Sequence, residues 1–459
     1  MSYQEKKLIS QDANGESVSR TVAHEAQQTS TALKEKRALT LNLMEMVCER
    51  ENLNRAYKRV KGNKGAPGID GMSIDELFPW IVSNKDSLIA QLLDGSFKPT
   101  SLRRVDIPKP GNNQDKRSLS IPTVVDRLVQ QAMLQVLEPI LDPTFSESSF
   151  GFRLGRSAHQ AVKQAQSYAE AGYGVVVDMD LENFFNEVNH DILMSRLARR
   201  IGDKNFLRIT RRFIKAGILY NGVCARREHG VAQGGPLSPI LSNLLLDDLD
   251  KELERRGHKF CRYGDDCNVY VRSIAAGERV MASIKQFLEK KLKLKVNQKK
   301  SAVAKTWERQ FLGYQILRSG KLGLASRSTE RIKARIKQLT KRNRGRSIEQ
   351  VISEVNQFLI GWINYFKYVV RSPLQELDEW IRRKLRCYRV KQLKRTYTIA
   401  KFLMTLGISE NQAWRLSTSE KGWWRLSKTP QAHMAMDIKW FRDAGLVSLT
   451  NRHKMFKTL

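Results

Sequence analysis

Apolar and polar residues change their spacing several times along the chain, and each change marks an element. Leu41, Met44, Val47, Leu53, Tyr57 and Val60 fall at helical spacing, which predicts a helix closed by the Gly- and Pro-dense turn from Lys64 to Gly71. Residues 102–110 read as an extended segment. The polar stretch behind them, with Lys116 and Arg117, reads as a loop leading into Ile121-Pro122. A long amphipathic helix is expected from Asp126 to about Leu141, with Leu128, Ala132, Leu134, Val136 and Leu137 among its apolar positions. The basic loop from Ser149 to Ser157 then precedes a helix beginning near Ala158. Val175-Val176-Val177 is a short β-branched run, the mark of a buried central strand, and it leads directly into Asp178.

A helix follows His190, and the loop from Gly230 to Pro239 opens another through Ile240, Leu244 and Leu245. From Phe260 to Val271, β-branched and aromatic residues flank Gly264-Asp265-Asp266, which predicts a β-hairpin carrying two carboxylates at its tip. Next come a helix around Val280 to Leu292, a strand-like Leu294-Lys295-Val296, and a second hairpin region with Phe311-Leu312-Gly313-Tyr314. Beyond about residue 325 the pattern is helical. Ile332, Ile336 and Leu339 form one stripe, and Ser347-x-x-Gln350 is a capping box ahead of a face made by Val351, Val355, Phe358 and Trp362. Residues 1–40 are polar and predict a flexible tail.

Charge changes the picture most. The 459 residues hold 80 Lys and Arg against 47 Asp and Glu, a formal net charge of +33 that calls for a polyanionic partner. No apolar run approaches the length of a membrane-spanning helix, so nucleic acid is the expected partner rather than lipid. Residues 321–459 alone carry +20 of that charge. Within them, residues 382–395 alternate basic with apolar and aromatic side chains, a pattern suited to gripping a nucleic-acid backbone. The candidate contacts are Arg382, Arg383, Lys384, Arg386, Lys391, Lys394 and Arg395, with Arg153 and Arg156 from the earlier basic loop. The five cysteines form no Cys-x-x-Cys pair, so a reducing, intracellular setting is expected, with neither a zinc site nor a disulfide framework.

Three carboxylates carry the candidate chemistry. Asp180 stands at the end of the buried strand, and Asp265 and Asp266 stand on the hairpin tip. Gly-Asp-Asp is also ordinary turn chemistry, but two adjacent carboxylates aimed at one point repel each other unless a divalent cation relieves them. Three such groups can hold two Mg²⁺ ions, which suits in-line attack at phosphorus by a 3′-hydroxyl. Lys109, Lys116 and Arg117 stand where a triphosphate could be neutralised.

Seven motifs in order carry a family resemblance: Pro67-Gly68-Ile69-Asp70-Gly71, Ile107-Pro108-Lys109-Pro110, Ser149-Phe150-Gly151-Phe152-Arg153, Asp180-x-x-x-Phe184-Phe185, Gln233 through Pro239, Tyr263-Gly264-Asp265-Asp266 and Phe311-Leu312-Gly313-Tyr314. Together they resemble the reverse transcriptases of bacterial group II introns, and Gly361-Trp362-Ile363-Asn364-Tyr365-Phe366 resembles the maturase domain of that family. The resemblance implies an α+β right-hand polymerase. Its fingers and palm, with an antiparallel palm sheet, would span 41–320, a helical thumb or maturase (X) domain 325–400, and a basic nucleic-acid-binding region 401–459. It implies RNA-directed DNA synthesis with Mg²⁺ and dNTPs, and group II intron RNA, an RNA template and a DNA primer or target as partners. It also places the chain in the bacterial cytoplasm, associated with the nucleoid when acting on DNA.

By the same resemblance Asp180, Asp265 and Asp266 are the metal ligands, with Asp180 preferred over Asp178 because it precedes Phe184 by four residues. Lys109 and Arg117 match residues that contact the triphosphate, Gln233 and Gly234 lie against the template–nucleotide pair, and Phe185 forms the wall under the sugar. Two positions depart from the family: Gly264 where Ala is usual, and Ser118 where Pro is usual. A Gly-Asp-Asp tip is the habit of viral RNA-dependent RNA polymerases, whereas the bulk of Phe185 beneath C2′ favours a deoxynucleotide. The region after residue 325 shows none of the Cys and His clusters of an HNH endonuclease. Two other readings of the same residues stand beside this one: a splicing factor whose polymerase is dispensable, and a domesticated reverse transcriptase serving repair or defence.

Overall fold

The computed structural model describes residues 40–458 apart from 110–111, 221–222 and 226, so the predicted tail lies, up to residue 39, outside the described residues. Its centre is a four-stranded sheet in the order β6-β7-β3-β8, with β3 over Val175–Met179, β6 over Lys259–Tyr263, β7 over Asp266–Val271 and β8 over Ala302–Lys305. All three pairings are antiparallel, and Val177 lies between Val269 on one side and Val303 on the other. The β-branched run thus forms an inner strand, as its apolar character on both faces requires.

Alternation along β3 divides the two faces. Val175, Val177 and Met179 enter the larger core, which also holds the helices Val124–Leu141 and Ser238–Arg255. Val176 faces the other way, into a second core shared with the helices Ala158–Glu170, Ile348–Tyr365 and Ser372–Leu393. With period 2, Asp178 shares the face of Val176, and Asp180 continues that line just past the end of the strand. The carboxylates therefore stand at the rim of the face that the C-terminal helices cover further along.

A second four-stranded sheet has the order β2-β1-β4-β5, where β1 is Leu102–Lys109, β2 Asn112–Ile121, β4 Ile218–Tyr220 and β5 Val223–Ala225. It corrects one expectation: Lys116 and Arg117 stand on strand β2, opposite Pro108 and Ile107, and not in a loop. Residues 112–118 are all polar in sequence, so alternation gave no signal there, and the ladder to β1 supplies the order. The helix expected from Leu41 to Val60 is broken at Glu49, whose ψ of 136° interrupts the turn between Leu43–Cys48 and Arg50–Gly62. The segment Leu294-Lys295-Val296 makes only an isolated bridge, from Val296 to Leu181; its buried Leu294 and Val296 serve the core rather than a sheet.

Local capping accounts for several helix starts. Thr123 caps Val124–Leu141, and capping boxes at Ser157/Gln160 and Ser347/Gln350 open the helices that follow them. Among the described residues no helix is long and apolar enough to cross a membrane.

Candidate active site

The turn between β6 and β7 places Asp265 and Asp266 beside the end of β3. Tyr263 pairs with Asp266, and Asp178 pairs with Asn268 two residues further along β7. On this face Asp178, Asp180 and Asp266 are neighbours, and the charges of the first two act on Asp266. Desolvation, and after it the charges of Asp265, Asp180 and Asp178, push the Asp266 carboxyl up to about 7. Solvent still reaches this side chain, so a counter-cation can reach it too. Asp265 is raised as well, by burial and then by Asp180, with Arg117 and Lys300 opposing the shift.

The two β3 acids differ in their partners. Asp178 is held by Arg309, whose Nε donates to Asp178 Oδ2 at 2.7 Å. Asp180 receives Lys300, whose Nζ stands 2.9 Å from its Oδ2 and whose side chain is 62% exposed. The half-buried guanidinium, with Nε and Nη2 both at Asp178 Oδ2, is a fixed partner, whereas an exposed lysine is readily displaced. Of the two acids, Asp180 has the more exposed and more displaceable partner.

Among the described residues no three His, Cys, Asp or Glu side chains close on one point as a ready metal cage. The donor set nevertheless fits a hard cation: it is all carboxylate oxygen, and the charge of Asp180 raises the proton affinity of Asp265 and Asp266, which is the repulsion a divalent ion relieves.

Across from the carboxylates, β2 brings Arg117 to the loop before the helix Ser238–Arg255. Arg117 Nε donates to Gln233 Oε1 at 3.1 Å, and Ser120 N donates to the Gln233 carbonyl at 2.8 Å. Gly234 has a φ of +130°, and a Cβ there would stand 3.0 Å from the Ser120 carbonyl oxygen, so the strand and the loop lie flush only with glycine. The side chain of Lys109 lies outside the described residues. Phe185 is half-buried, 5.2 Å from the Phe184 ring, and its carbonyl accepts from Val231 N at 2.7 Å. His190 Nε2 bonds the Gly230 carbonyl at 2.7 Å, which gives it a local structural part.

Sequence reasoning missed what stands behind the hairpin. Arg262 is fully buried and uses all five of its N–H donors. Its Nε meets Asp250 Oδ1 at 2.7 Å and one Nη2 proton meets Asp250 Oδ2 at 2.5 Å. The others reach Asn243 Oδ1, the Gly264 carbonyl and Ser149 Oγ at 2.8–2.9 Å. Asp250 is fully buried too. The pair ties the Gly264 turn to the helix Ser238–Arg255 and to the loop after Ser146. An arginine between Phe260-Cys261 and the hairpin tip, and an acid on the apolar stripe of Leu246, Leu249 and Leu253, were the available signals.

Two expected nucleic-acid contacts are corrected. Arg153 is buried and spends its donors on Asp142 and on the carbonyls of Asp142, Ser146 and Ser149. Arg386 is buried against the carbonyls of Met436 and Ser427 and against His433, and burial lowers it to about 10. Arg153 has no N–H left for phosphate, and Arg386 is held below the surface with its Nε and Nη1 committed. Arg156, paired with Glu147, and Arg382, Lys391, Lys394 and Arg395 keep access to solvent. Arg383 lies over the Trp424 ring at 3.8 Å, and Lys384 lies 4.4 Å from the same ring and 5.5 Å from Trp380.

Residues 107–316 match the family described as reverse transcriptase (RNA-dependent DNA polymerase), and residues 329–405 match the group II intron maturase-specific domain. Protein YkfC of Escherichia coli is 32% identical over 317 residues, which cover 60% of this chain and 83% of YkfC. The group II intron-encoded protein LtrA of Lactococcus lactis subsp. cremoris is 34% identical over 207 residues, 45% of this chain and only 34% of LtrA. A solved partial Cas6-RT-Cas1–Cas2 complex aligns with 54% of this chain and 42% of that chain, at 25% identity and a TM-score of 0.36.

Proposed function

The chain belongs to the group II intron reverse transcriptase/maturase family, and from that premise we propose that Asp180, Asp265 and Asp266 carry RNA-templated DNA synthesis from dNTPs with two Mg²⁺ ions. The observation that carries the reading is the coupling of these acids across β3 and the β6–β7 turn, with Arg117 close enough for its charge to reach Asp265. Bound there, the ions supply Lewis acidity and charge neutralisation for in-line attack on the α-phosphate. Lys300 releases the Asp180 carboxylate when the site is loaded. Arg117, oriented by Gln233, and Lys109 and Lys116 meet the triphosphate. Phe185 closes the pocket beneath the sugar.

The described exposed and half-buried cations Arg156, Arg382, Arg383, Lys384, Lys391, Lys394 and Arg395 contact RNA or DNA backbone. We assign 41–320 to fingers and palm, 325–400 to the thumb and maturase domain, and 401–459 to a basic nucleic-acid-binding region. Group II intron RNA is the partner, and the bacterial cytoplasm and nucleoid are the place of work.

Primer extension on an RNA template, with dNTPs and rNTPs in parallel, tests this reading. The wild type makes DNA product and very little RNA. Phe185→Val raises rNTP use relative to dNTP by about tenfold or more, the scale of removing bulk from a selective pocket. Preference for rNTPs in the wild type would overturn the assignment of Phe185.

Stability of the metal-free protein carries a second signature. Asp266 binds its proton with a folded-state value near 7, above the ordinary 3.8. The folded state therefore holds more protons than the unfolded chain between those values, and stability falls as pH rises through that window. Thermal melts in EDTA from pH 5.5 to 8 are expected to fall with pH more steeply than melts in Mg²⁺, because the cation takes the proton's place. Asp266→Asn flattens the EDTA slope; an unchanged slope in that variant would remove Asp266 as its source.

A further inference from the structure

The loop Gly151-Phe152-Arg153 is built directly against the backbone of the Gly264 turn. A Cβ at Gly151 would stand 2.3 Å from the backbone nitrogen of Gly264 and 2.8 Å from the carbonyl carbon of Tyr263, so the two backbones touch. Phe150 N donates to the Arg262 carbonyl at 2.8 Å, Arg262 N donates to the Ser148 carbonyl at 2.9 Å, and Asn243 Nδ2 donates to the Gly151 carbonyl at 2.9 Å. On the other side of Phe152, Arg153 is buried, with every N–H spent. Between these anchors Phe152 has a φ of +58°, a left-handed conformation that a phenylalanine adopts only when its surroundings impose it.

That strain turns the ring outward. Phe152 is 54% exposed, and the next apolar side chain of the loop, Leu154, is 71% exposed. The ring centroid lies 6.3 Å from that of Tyr263, and a Cβ on Gly264 would come 3.1 Å from Phe152 Cε2. A large aromatic face is thus held, against local preference, flush with the Cα of the residue immediately before Asp265. In a strand-extending reaction the group that must reach these carboxylates is the primer's 3′-hydroxyl, so the primer end is the nucleic-acid surface nearest this ring.

We propose that Phe152, seated on Gly264, is a substrate-touching residue that stacks on the 3′-terminal nucleotide of the primer. The inference rests on the reverse transcriptase reading above and adds a contact to it. It also gives Gly264 a reason: a methyl group there would push on the ring from a backbone with φ of +68°, where L side chains are strained.

The test uses the full chain with an RNA template and a DNA primer carrying 2-aminopurine at its 3′ end, without nucleotide. Wild type is expected to quench the terminal fluorophore. Phe152→Ala releases the quench and raises KM for primer–template by about fivefold or more, the lower end of what one base stacked on an aromatic ring contributes. Phe152→Tyr restores both. A fluorophore placed in the template overhang gives the same signal in all three proteins. Thermal melting of each variant separates this from a folding defect, which would not be rescued selectively at the primer terminus. If wild type extends the primer but the terminal signal is blind to Phe152→Ala, the proposal is overturned and the reverse transcriptase reading stands. If wild type fails to extend the primer, both fall.

Discussion

Asp265→Ala is expected to reduce primer extension at least about a thousandfold, because metal coordination contributes several kcal/mol to the transition state and each ~1.4 kcal/mol is a factor of ten. The fold should survive the change. Asp265 is raised by burial and by Asp180, so removing its charge relieves repulsion in the metal-free protein rather than breaking a bond the fold depends on. Melting at or above the wild-type temperature in EDTA, with extension lost, is therefore the expected pair of results. Binding of intron RNA is expected to persist, since the cations assigned to it, apart from Arg156, lie on and just beyond the helix Ser372–Leu393 and not on the β6–β7 turn. A splicing assay on the same variant separates the two activities. Substantial DNA synthesis by Asp265→Ala would move the catalytic assignment away from the hairpin.

The second large effect lies behind the site. Asp250→Ala leaves the Arg262 guanidinium buried without its counter-charge, and breaking a buried pair in this way costs about 3–5 kcal/mol. Denaturant unfolding should show that loss. The double variant Asp250→Leu/Arg262→Met removes both charges and is expected to recover most of the stability, since well-packed apolar groups commonly replace a buried pair without loss. It should not recover extension. The hydrogen bonds from Arg262 to the Gly264 carbonyl and to Ser149 Oγ are absent in it, and these hold the turn that aims Asp265 and Asp266. Full activity in the double variant would reduce Arg262 to a purely structural part.

Much of the site is local and for that reason legible in the sequence. The run Val175-Val176-Val177, the turn Gly264-Asp265-Asp266 and the caps at Ser157 and Ser347 each follow from a few consecutive residues, whose conformational preferences act over the same short span. The net charge of +33 pointed to nucleic acid without any fold at all. The order of seven motifs then identified the family, because order along a chain is a property of sequence.

Only the tertiary structure decided which charges meet. Lys300 faces Asp180 and Arg309 faces Asp178 because a sheet of order β6-β7-β3-β8 closes distant segments onto one another, and Arg262 faces Asp250 because β6 packs on the helix Ser238–Arg255. An arginine has the same five donors wherever it lies in a sequence. Arg153 and Arg386 read as candidates for phosphate, and the fold turned their donors inward to carbonyl oxygens, where a buried guanidinium must be satisfied. Phe152 was legible as one letter of a motif, whereas its outward ring and left-handed backbone exist only because Gly151 is pinned by Asn243 and Gly264, far away in the chain, and Arg153 by Asp142, Ser146 and Ser149 of its own loop.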